Sequence, residues 1–509
     1  MVMNVQDRAL LPEEMRHTYS VCPVCLKRIP AKREERDEQI YLVKTCPDHG
    51  TFSSVIWRNK RKFADWRGER PAVGENENLN CPAGCGLCAE HRRATCCTLL
   101  EITARCNMNC TFCFAEPDGA QDPSLDTVKR WIDDLTEPGK TLLQLSGGEP
   151  TVRDDLPEIV AYAKQVGCKY VQLNSNGLRL AEDEAFVKRL ADAGLSFVFM
   201  QFDGVDDAVY EKPAPPPDAG SEKSGRSSSA AGMESDVTLV PVIVPGVNTE
   251  QIGDIIRFAI QRSPYVRGVH FQPVSYFGRI PELPADDDRY TLDELLEAVV
   301  SQSGGLIKEE QIAPSCCDHP MCGFHGDFIV MPGDKLMPLT NYSGKTRDRT
   351  GGRRLLLRSG SGGEEPRICR TPLGTARFGR DLLLRGKQPE SEACCCGESQ
   401  PEKESCCCDA NADAYLLEKA QPEPGNCCCG GTQPEPESCC CEEESVDITN
   451  MEDFLKRAKS HGFTITSMAF QDAGNLDIER LRQCSLHVYK DGKKIPFCAY
   501  YLSPMERGR

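Results

Sequence analysis

The sequence predicts an α/β fold: a parallel sheet of about six strands curling into a partial (β/α)6 barrel, with an N-terminal Cys/His ribbon before it and a C-terminal Cys-rich domain after it. Three observations lead there. From residue 98 onward strand-like and helix-like segments alternate, and repeated βα units build a parallel sheet. The polar and thiol motifs inside that stretch fall at the C-terminal ends of the predicted strands, where parallel barrels assemble their sites. Further cysteine motifs stand on either side of it, at 22–46, 81–88, 317–322 and 484–498.

At 509 residues the chain has length for two or three units and a sizeable core. Its 60 Lys and Arg against 77 Asp and Glu leave a formal net charge of −17, which argues against non-specific nucleic-acid binding. No stretch approaches about 18 consecutive apolar residues, so no transmembrane segment is expected. The opening MVMNVQDRALLPEEMRH has neither an apolar h-region nor a small-residue cleavage site, and a cytoplasmic location is expected. Thirty cysteines in a long cytosolic chain point to metal ligation rather than a disulfide scaffold.

Residues 1–57 form the first unit. Cys22-Pro-Val-Cys25 and Cys46-Pro-Asp-His49 flank an alternating stretch at 39–44, which fits a ribbon whose two knuckles close a tetrahedral site. A Cys3His set suits zinc or a rubredoxin-like mononuclear iron, and the role is structural because a saturated site has no open position. Residues 58–97 read as a linker or a short helix plus loop, with Arg58, Lys60, Arg61 and Lys62 as a solvated basic face, and then an auxiliary-cluster segment. In that segment Cys81, Cys85 and Cys88 form a CxxxCxxC with no strand before it and no Gly-Gly-carboxylate segment following in register. It is read as an auxiliary iron–sulfur site whose fourth ligand comes from afar, with a zinc knuckle as the alternative. Cys96 and Cys97 are read as small buried residues at the entry to the first barrel strand.

The barrel is placed at 98–290. Strands are predicted at 98–103, 141–146, 170–174, 197–202, 238–244 and 268–274, and helices at 124–135, 156–166, 183–193 and 249–262, with Asp122 and Ser124 as cap candidates. One βα unit is broken: 212–235 is rich in Pro, Ser and Gly and cannot pack a helix on the sheet. It is either a disordered insert or a local reading-frame error, and its length favours the second. The stretch 343–390 is similarly untypical.

Residues 291–342 hold a helix at 292–302 and then Cys316, Cys317, His319, Cys322 and His325. Residues 343–446 are a low-complexity insert with four Cys-Cys-Cys triplets, at 394–396, 406–408, 427–429 and 439–441. Twelve thiols could collect soft metal ions or hold a sulfur cargo. Globular pattern resumes at 447–509, where Cys484 and Cys498 flank a hairpin with Lys490-Asp491-Gly492-Lys493 as its turn. Cys81, Cys85, Cys88, Cys317, Cys322, Cys484 and Cys498 are seven ligands. They nearly suffice for two auxiliary clusters, if Cys316, Cys369 or an open iron supplies the eighth position. His319, His325 and His487 are read as structural.

The stretch that organises the rest is TLLEITARCNMNCTFCFAEP. Cys106, Cys110 and Cys113 follow a strand at x3 and x2 spacing, too close for disulfides among themselves, and three thiolates can hold three irons of a four-iron cube while leaving the fourth open. With Phe112 before the last Cys, this motif resembles the radical S-adenosylmethionine (SAM) superfamily. Ser146-Gly147-Gly148-Glu149-Pro150 resembles that family's segment receiving the SAM amino group, and Asn174-Ser175-Asn176-Gly177 its polar strand end. The resemblance implies a [4Fe-4S] cluster on Cys106, Cys110 and Cys113. It implies SAM contacts from Gly147, Gly148, Glu149 and Pro150, and a pocket lined by Asn174, Asn176, Gln201 and Asp203. An electron donor such as a ferredoxin or flavodoxin is implied as a partner. Within the superfamily the stretches CPVCLKRIPA, CPAGCGLCAEH, VFMQFDGVDD, CDHPMCGFHGDF and CSLHVYKDGKKIPFCAYYL resemble the branch of the archaeal tetraether lipid synthase and related radical SAM selenoproteins. That branch implies hydrogen abstraction from a lipid chain and carbon–carbon coupling. Alternatives are a maturase acting on a peptide or small molecule, and a metal-binding or thiol-carrier protein on a degenerate scaffold.

Overall fold

The computed structural model describes residues 16–68, 81–83, 85–88, 91–108, 110, 113–114, 121–211, 236–278, 284–340 and 451–505. The insert at 212–235, the triplets, Cys369, Phe112 and the side chains of 60–62 lie outside the described residues.

The N-terminal ribbon is a four-stranded antiparallel sheet in chain order: β1 (His17–Val21), β2 (Arg28–Arg36), β3 (Gln39–Cys46) and β4 (Gly50–Trp57). The alternation read at 39–44 is real, since Ile40, Leu42 and Cys46 are buried between more open neighbours. Of the two forms open for the stretch after residue 58, a linker or a short helix plus loop, the structure has the helix, Lys60–Arg67, which buries Phe63 and Trp66. Arg58 departs from the solvated-face reading. Its guanidinium pairs with Glu294 at 2.9 Å and donates to the Asp286 carbonyl at 2.7 Å, because the ribbon packs on the residues after the barrel.

Six parallel strands lie close to where the alternation placed them: β5 (Cys97–Thr103), β6 (Leu142–Gly147), β7 (Tyr170–Ser175), β8 (Phe197–Gln201), β9 (Val237–Val240) and, beyond the short β10 (Val242–Ile243), β11 (Val266–Pro273). The helices Leu125–Leu135, Leu156–Gln165, Glu184–Asp192 and Ile252–Ile260 cover the outer face. Val128, Ile132, Ile159, Phe186 and Ile256 pack there on Leu145, Leu173 and Val198. Ser124 caps the first helix through the Thr127 N–H at 3.2 Å; Asp122 binds Arg105 and Thr103 instead.

Residues after the barrel add strands to both of its edges. Ahead of the break lie β12 (Ala313–Pro314), β13 (Phe324–Met331) and β14 (Lys335–Pro338); after it come β15 (Gly462–Ser467), β16 (Leu486–Lys490) and β17 (Lys493–Pro496). β15 runs parallel to β11 and is backed by antiparallel β13, while β16 runs parallel to β5. Both open edges of the six-stranded sheet are thereby paired, which satisfies their backbone groups. The β16–β17 hairpin turns at Asp491 and Gly492, both at positive φ, as the turn sequence predicts.

A buried ion network joins ribbon to C-terminal segment. Arg33 donates to Asp477 at 3.0 Å and to Glu479 at 2.7 Å, and Arg67 donates to Glu479 at 2.7 Å. Each of the four is under a tenth exposed, so the charges hold one another in a water-free contact.

Candidate active site and metal centres

The ribbon knuckles bring Cys22, Cys25, Cys46 and His49 together with their ligand atoms all within 4.8 Å of one another. Among the described residues no other group of three or more ligand side chains is that tight. His49 Nδ1 lies 3.6 Å from Cys22 Sγ and 3.5 Å from Cys46 Sγ. Ligands about 2.3 Å from one tetrahedral ion sit about 3.8 Å apart, so this geometry is that of a single-ion site. Burial pushes the Cys46 thiol up, but hydrogen bonds from His49 and the Asp48 backbone outweigh it and bring the thiol down to about 7, ready to ligate as thiolate.

Cys106, Cys110 and Cys113 line one cavity of about 340 Å³ at the C-terminal strand ends, with Gly147, Gly148 and Glu149 beside them. The three thiols are not among the tight single-ion groups found in the described residues. A four-iron cube asks for such a set, since each thiolate holds its own iron and the thiols need not converge on one ion. Burial raises the Cys106 thiol, and a cluster's positive irons would reverse that.

The glycines of the 146–150 segment have a local reason. A Cβ on Gly147 would meet the Thr103 carbonyl oxygen at 2.1 Å, and one on Gly148 the Arg105 carbonyl oxygen at 2.2 Å. Their absence lets Gly148 N–H bond Thr103 O and Glu149 N–H bond Arg105 O, both at 2.8 Å, which pins this segment to the strand delivering the cysteines. Glu149 is buried and accepts from Thr151 N–H at 3.0 Å, Thr151 Oγ1 at 2.7 Å and Ser175 Oγ at 2.9 Å on Oε1, and from Asn176 N–H at 2.7 Å on Oε2. It ties the ends of β6 and β7 together, and Oε2 takes one donor where Oε1 takes three. Pro150 opens a short 3-10 turn and is buried.

Asn174, Asn176 and Gln201 line the cavity. Asp203 departs from expectation. Its Oδ1 accepts from Val242 N–H and its Oδ2 from Gln201, both at 2.9 Å, so it braces the ends of β8 and β10.

The cavity runs along the concave face of the sheet. Gln144 on β6, Gln172 on β7, and His270 and Gln272 on β11 line it, together with Phe197 and Phe199 of β8. The sequence reading passed over these residues. Their signal was available: strands buried on both faces read as near-continuous apolar runs, and a Gln or His at alternate places in TLLQLS, YVQLNS and VRGVHFQP breaks that rule. Burial lowers His270 to about 4, leaving it neutral, with Nδ1 2.8 Å from Thr466 Oγ1. Glu101 accepts from Tyr500 and Tyr501, both at 2.6 Å, fixing Tyr501 in the cavity wall.

The flanking thiols gather in two neighbourhoods. Cys85 hydrogen-bonds Cys81 and feels the charges of Cys88 and Cys484. Cys484 in turn feels Cys498 and Cys322, both buried. Cys317 lies 3.9 Å from Cys96 Sγ, and both line the far end of the cavity. Cys96, read from sequence as a small buried residue, is thus a candidate ligand, and only the pairing of β16 with β5 brings it there. Among the histidines, His319 accepts the Met321 N–H at 3.2 Å and faces Glu479, a structural role. His487 Nε2 lies 3.2 Å from His91 Nε2.

A model of the radical SAM superfamily matches residues 100–259, and one of the HMPTM N-terminal zinc ribbon domain matches residues 15–58. The chain is 35% identical over 359 residues to the 7,8-dihydro-6-hydroxymethylpterin dimethyltransferase of Methanocaldococcus jannaschii, covering 64% of this chain and 70% of that protein. It is 38% identical over 108 residues to the Fe-coproporphyrin III synthase of Methanosarcina barkeri, covering 21% of this chain and 26% of that one. Streptococcus suis SuiB bound to S-adenosylmethionine superposes at a TM-score of 0.31 with 16% identity, over 42% of this chain and 49% of that one; at that score it carries no weight. The family brings a [4Fe-4S] cluster and SAM, which three thiols on one cavity and a glycine-lined carboxylate segment fit, and the chain belongs to the radical SAM superfamily of enzymes.

Proposed function

We propose that this enzyme holds a [4Fe-4S] cluster on Cys106, Cys110 and Cys113, cleaves SAM reductively to methionine and a 5′-deoxyadenosyl radical, and abstracts hydrogen from a planar, hydrogen-bonding heterocycle of the pterin type. When bound, the cluster and SAM supply the 5′-deoxyadenosyl radical. The chain's own residues do the rest. Gly147, Gly148 and Glu149 receive the amino group, Asn174, Asn176 and Gln201 line the pocket, and the closed sheet edges keep water out.

One observation carries the substrate reading: the concave face offers Gln144, Gln172, Asn174, His270 and Gln272 together. Side-chain amides present both donors and acceptors, which pair with the edge of an amide-containing ring. Gln172 Nε2 donates to Asn174 Oδ1 at 2.6 Å and His270 Nδ1 lies 2.8 Å from Thr466 Oγ1, and an alkyl chain would offer no partner to the amide donors and acceptors these bonds leave over. Phe197 and Phe199 give such a ring a face to stack on. The 35% identity to a pterin dimethyltransferase supports the same choice.

Two auxiliary clusters complete the reading, one on Cys81, Cys85, Cys88 and Cys484, the other on Cys96, Cys317, Cys322 and Cys498. A ferredoxin or flavodoxin supplies electrons. A second reading is the lipid-chain coupling of the tetraether synthase branch, favoured by the aromatic belt of Phe114, Phe470, Phe497 and Tyr501 on the cavity wall. The test incubates reconstituted enzyme, SAM and reductant with a perdeuterated dihydropterin or a perdeuterated diacyl lipid. Deuterium in 5′-deoxyadenosine from the pterin supports the first reading, and from the lipid the second. Deleting 391–442 tests the thiol-carrier alternative, which requires deoxyadenosine formation or metal loading to fail in the deletion.

A further inference from the structure

Two buried arginines lie near the auxiliary thiols and form no ion pair with a carboxylate among the described residues. Arg482 is 3% exposed, and its Nε and Nη2 meet no hydrogen-bond partner among the described residues. It ends the turn after the helix Ile478–Leu481, two residues before Cys484. Its charge acts on Cys81, as does that of Arg28, which stacks at 4.2 Å over Tyr19. The two guanidiniums also repel each other. Arg480 is 9% exposed; Nη2 donates to Ala469 O at 2.8 Å, and Ala469 N–H bonds Cys322 O at 2.7 Å. This seats Arg480 beside Cys322 and Cys498 while its Nε stays unpartnered.

One buried carboxylate, Asp318, also acts on Cys317, Cys322, Cys484 and Cys498, and it accepts from Ser485 N–H at 2.7 Å and Ser485 Oγ at 2.9 Å. The catalytic cysteines differ in their charged neighbours. The guanidinium nearest to them in sequence, Arg105, is taken by Asp122 at 2.8 Å, and the charged side chain acting on Cys106 is Glu149. Positive charge buried without an anion is unfavourable, and an iron–sulfur cluster with thiolate ligands is an anion whose sulfurs accept N–H bonds. Such bonds and charges favour the reduced cluster and raise its potential.

We propose that Arg482 and Arg480 are positioning and tuning residues for the two auxiliary clusters, donating to their sulfurs and setting both potentials above that of the catalytic cluster. The auxiliary clusters then accept electrons more readily than the catalytic one and do not drive SAM cleavage. This rests on the auxiliary-cluster reading above.

The experiment is an anaerobic redox titration of the reconstituted full chain followed by electron paramagnetic resonance. Iron and sulfide are counted in parallel, for wild type, Arg482→Gln, Arg480→Gln and Arg482→Lys. The catalytic signal is recognised by its change on adding SAM. The expected result is that the auxiliary signals appear at less negative potential than the SAM-responsive one. Each Gln variant shifts one auxiliary midpoint to more negative values and leaves the SAM-responsive midpoint in place, and Arg482→Lys keeps most of the wild-type value. Full iron with unmoved midpoints in both Gln variants overturns the proposal. If Arg482→Gln loses one cluster's iron, Arg482→Lys must keep it; loss in both means a structural arginine and overturns it as well. A wild type with iron for the catalytic cluster and ribbon alone removes the auxiliary clusters themselves, an outcome distinct from the others.

Discussion

Replacing Glu149 by Gln isolates one hydrogen bond at the centre of the site. The carboxylate is 2% exposed and takes three donors on Oε1 and the Asn176 N–H on Oε2. In Glu149→Gln the amide oxygen keeps the three donors from Thr151 and Ser175. The NH2 then occupies the Oε2 position and confronts the Asn176 N–H, donor against donor, 2.7 Å away. One charge-assisted bond is lost and a buried donor is stranded, which costs about 1.5–3 kcal/mol. At about 1.4 kcal/mol per decade this is roughly a ten- to hundred-and-fifty-fold effect. It falls on the turn carrying Asn176 and on the carboxylate we propose receives the SAM amino group, so deoxyadenosine formation drops and the SAM requirement rises, with the cysteines untouched. The assay is anaerobic 5′-deoxyadenosine formation over a range of SAM concentrations, with iron and sulfide matched to wild type. A change within about twofold at matched iron would refute the role given to this carboxylate.

Gly148→Ala places a Cβ 2.2 Å from a backbone oxygen of the cysteine strand, and backbone cannot yield as a side chain can. It is expected to abolish deoxyadenosine formation while far-ultraviolet circular dichroism stays near wild type. Cys46→Ser removes a ligand of the ribbon ion; metal analysis should show one ion fewer per chain and limited proteolysis should cut within residues 16–57, while deoxyadenosine formation persists. Glu479→Gln leaves Arg33 and Arg67 buried against a neutral side chain, a loss of about 3–5 kcal/mol read as a lower urea midpoint. Burial raises Glu479, but His319, Arg33 and Arg67 outweigh it and hold the carboxyl well below its ordinary range. A carboxylate with a lowered folded pKa stabilises above its unfolded value of about 4.3 and loses that contribution as pH falls through the folded value. Wild type should therefore lose stability below about pH 4, and Glu479→Gln should flatten that limb.

Local order was legible where the chemistry is local. Thiol spacing, βα alternation and the Asp491-Gly492 turn each depend on neighbours in sequence, and strand and helix bounds fell within a residue or two over most of the barrel. Contacts set by distant pairing were not. β15, GFTITS, has every residue buried because it lies between β11 and β13, and nothing in its six residues names those partners. Cys96 became a candidate ligand through β16 pairing with β5, which brings residue 486 beside residue 97. Asp203 shows the converse: a polar residue at a strand end reads as a site residue, yet two backbone and amide donors claim it for bracing. Gln144, Gln172 and Gln272 were readable as breaks in apolar strands, and became informative once the strands curved around one cavity.

The most direct test of the central claim is anaerobic iron and sulfide content together with 5′-deoxyadenosine formation after reduction. It compares the intact protein with the variant Cys106→Ala/Cys110→Ala/Cys113→Ala. The prediction is more iron than one four-iron cluster in the intact protein, deoxyadenosine formed there, and its complete loss in the triple variant with the remaining iron retained. Deoxyadenosine absent from the intact, fully clustered protein, or still formed by the triple variant, would contradict it.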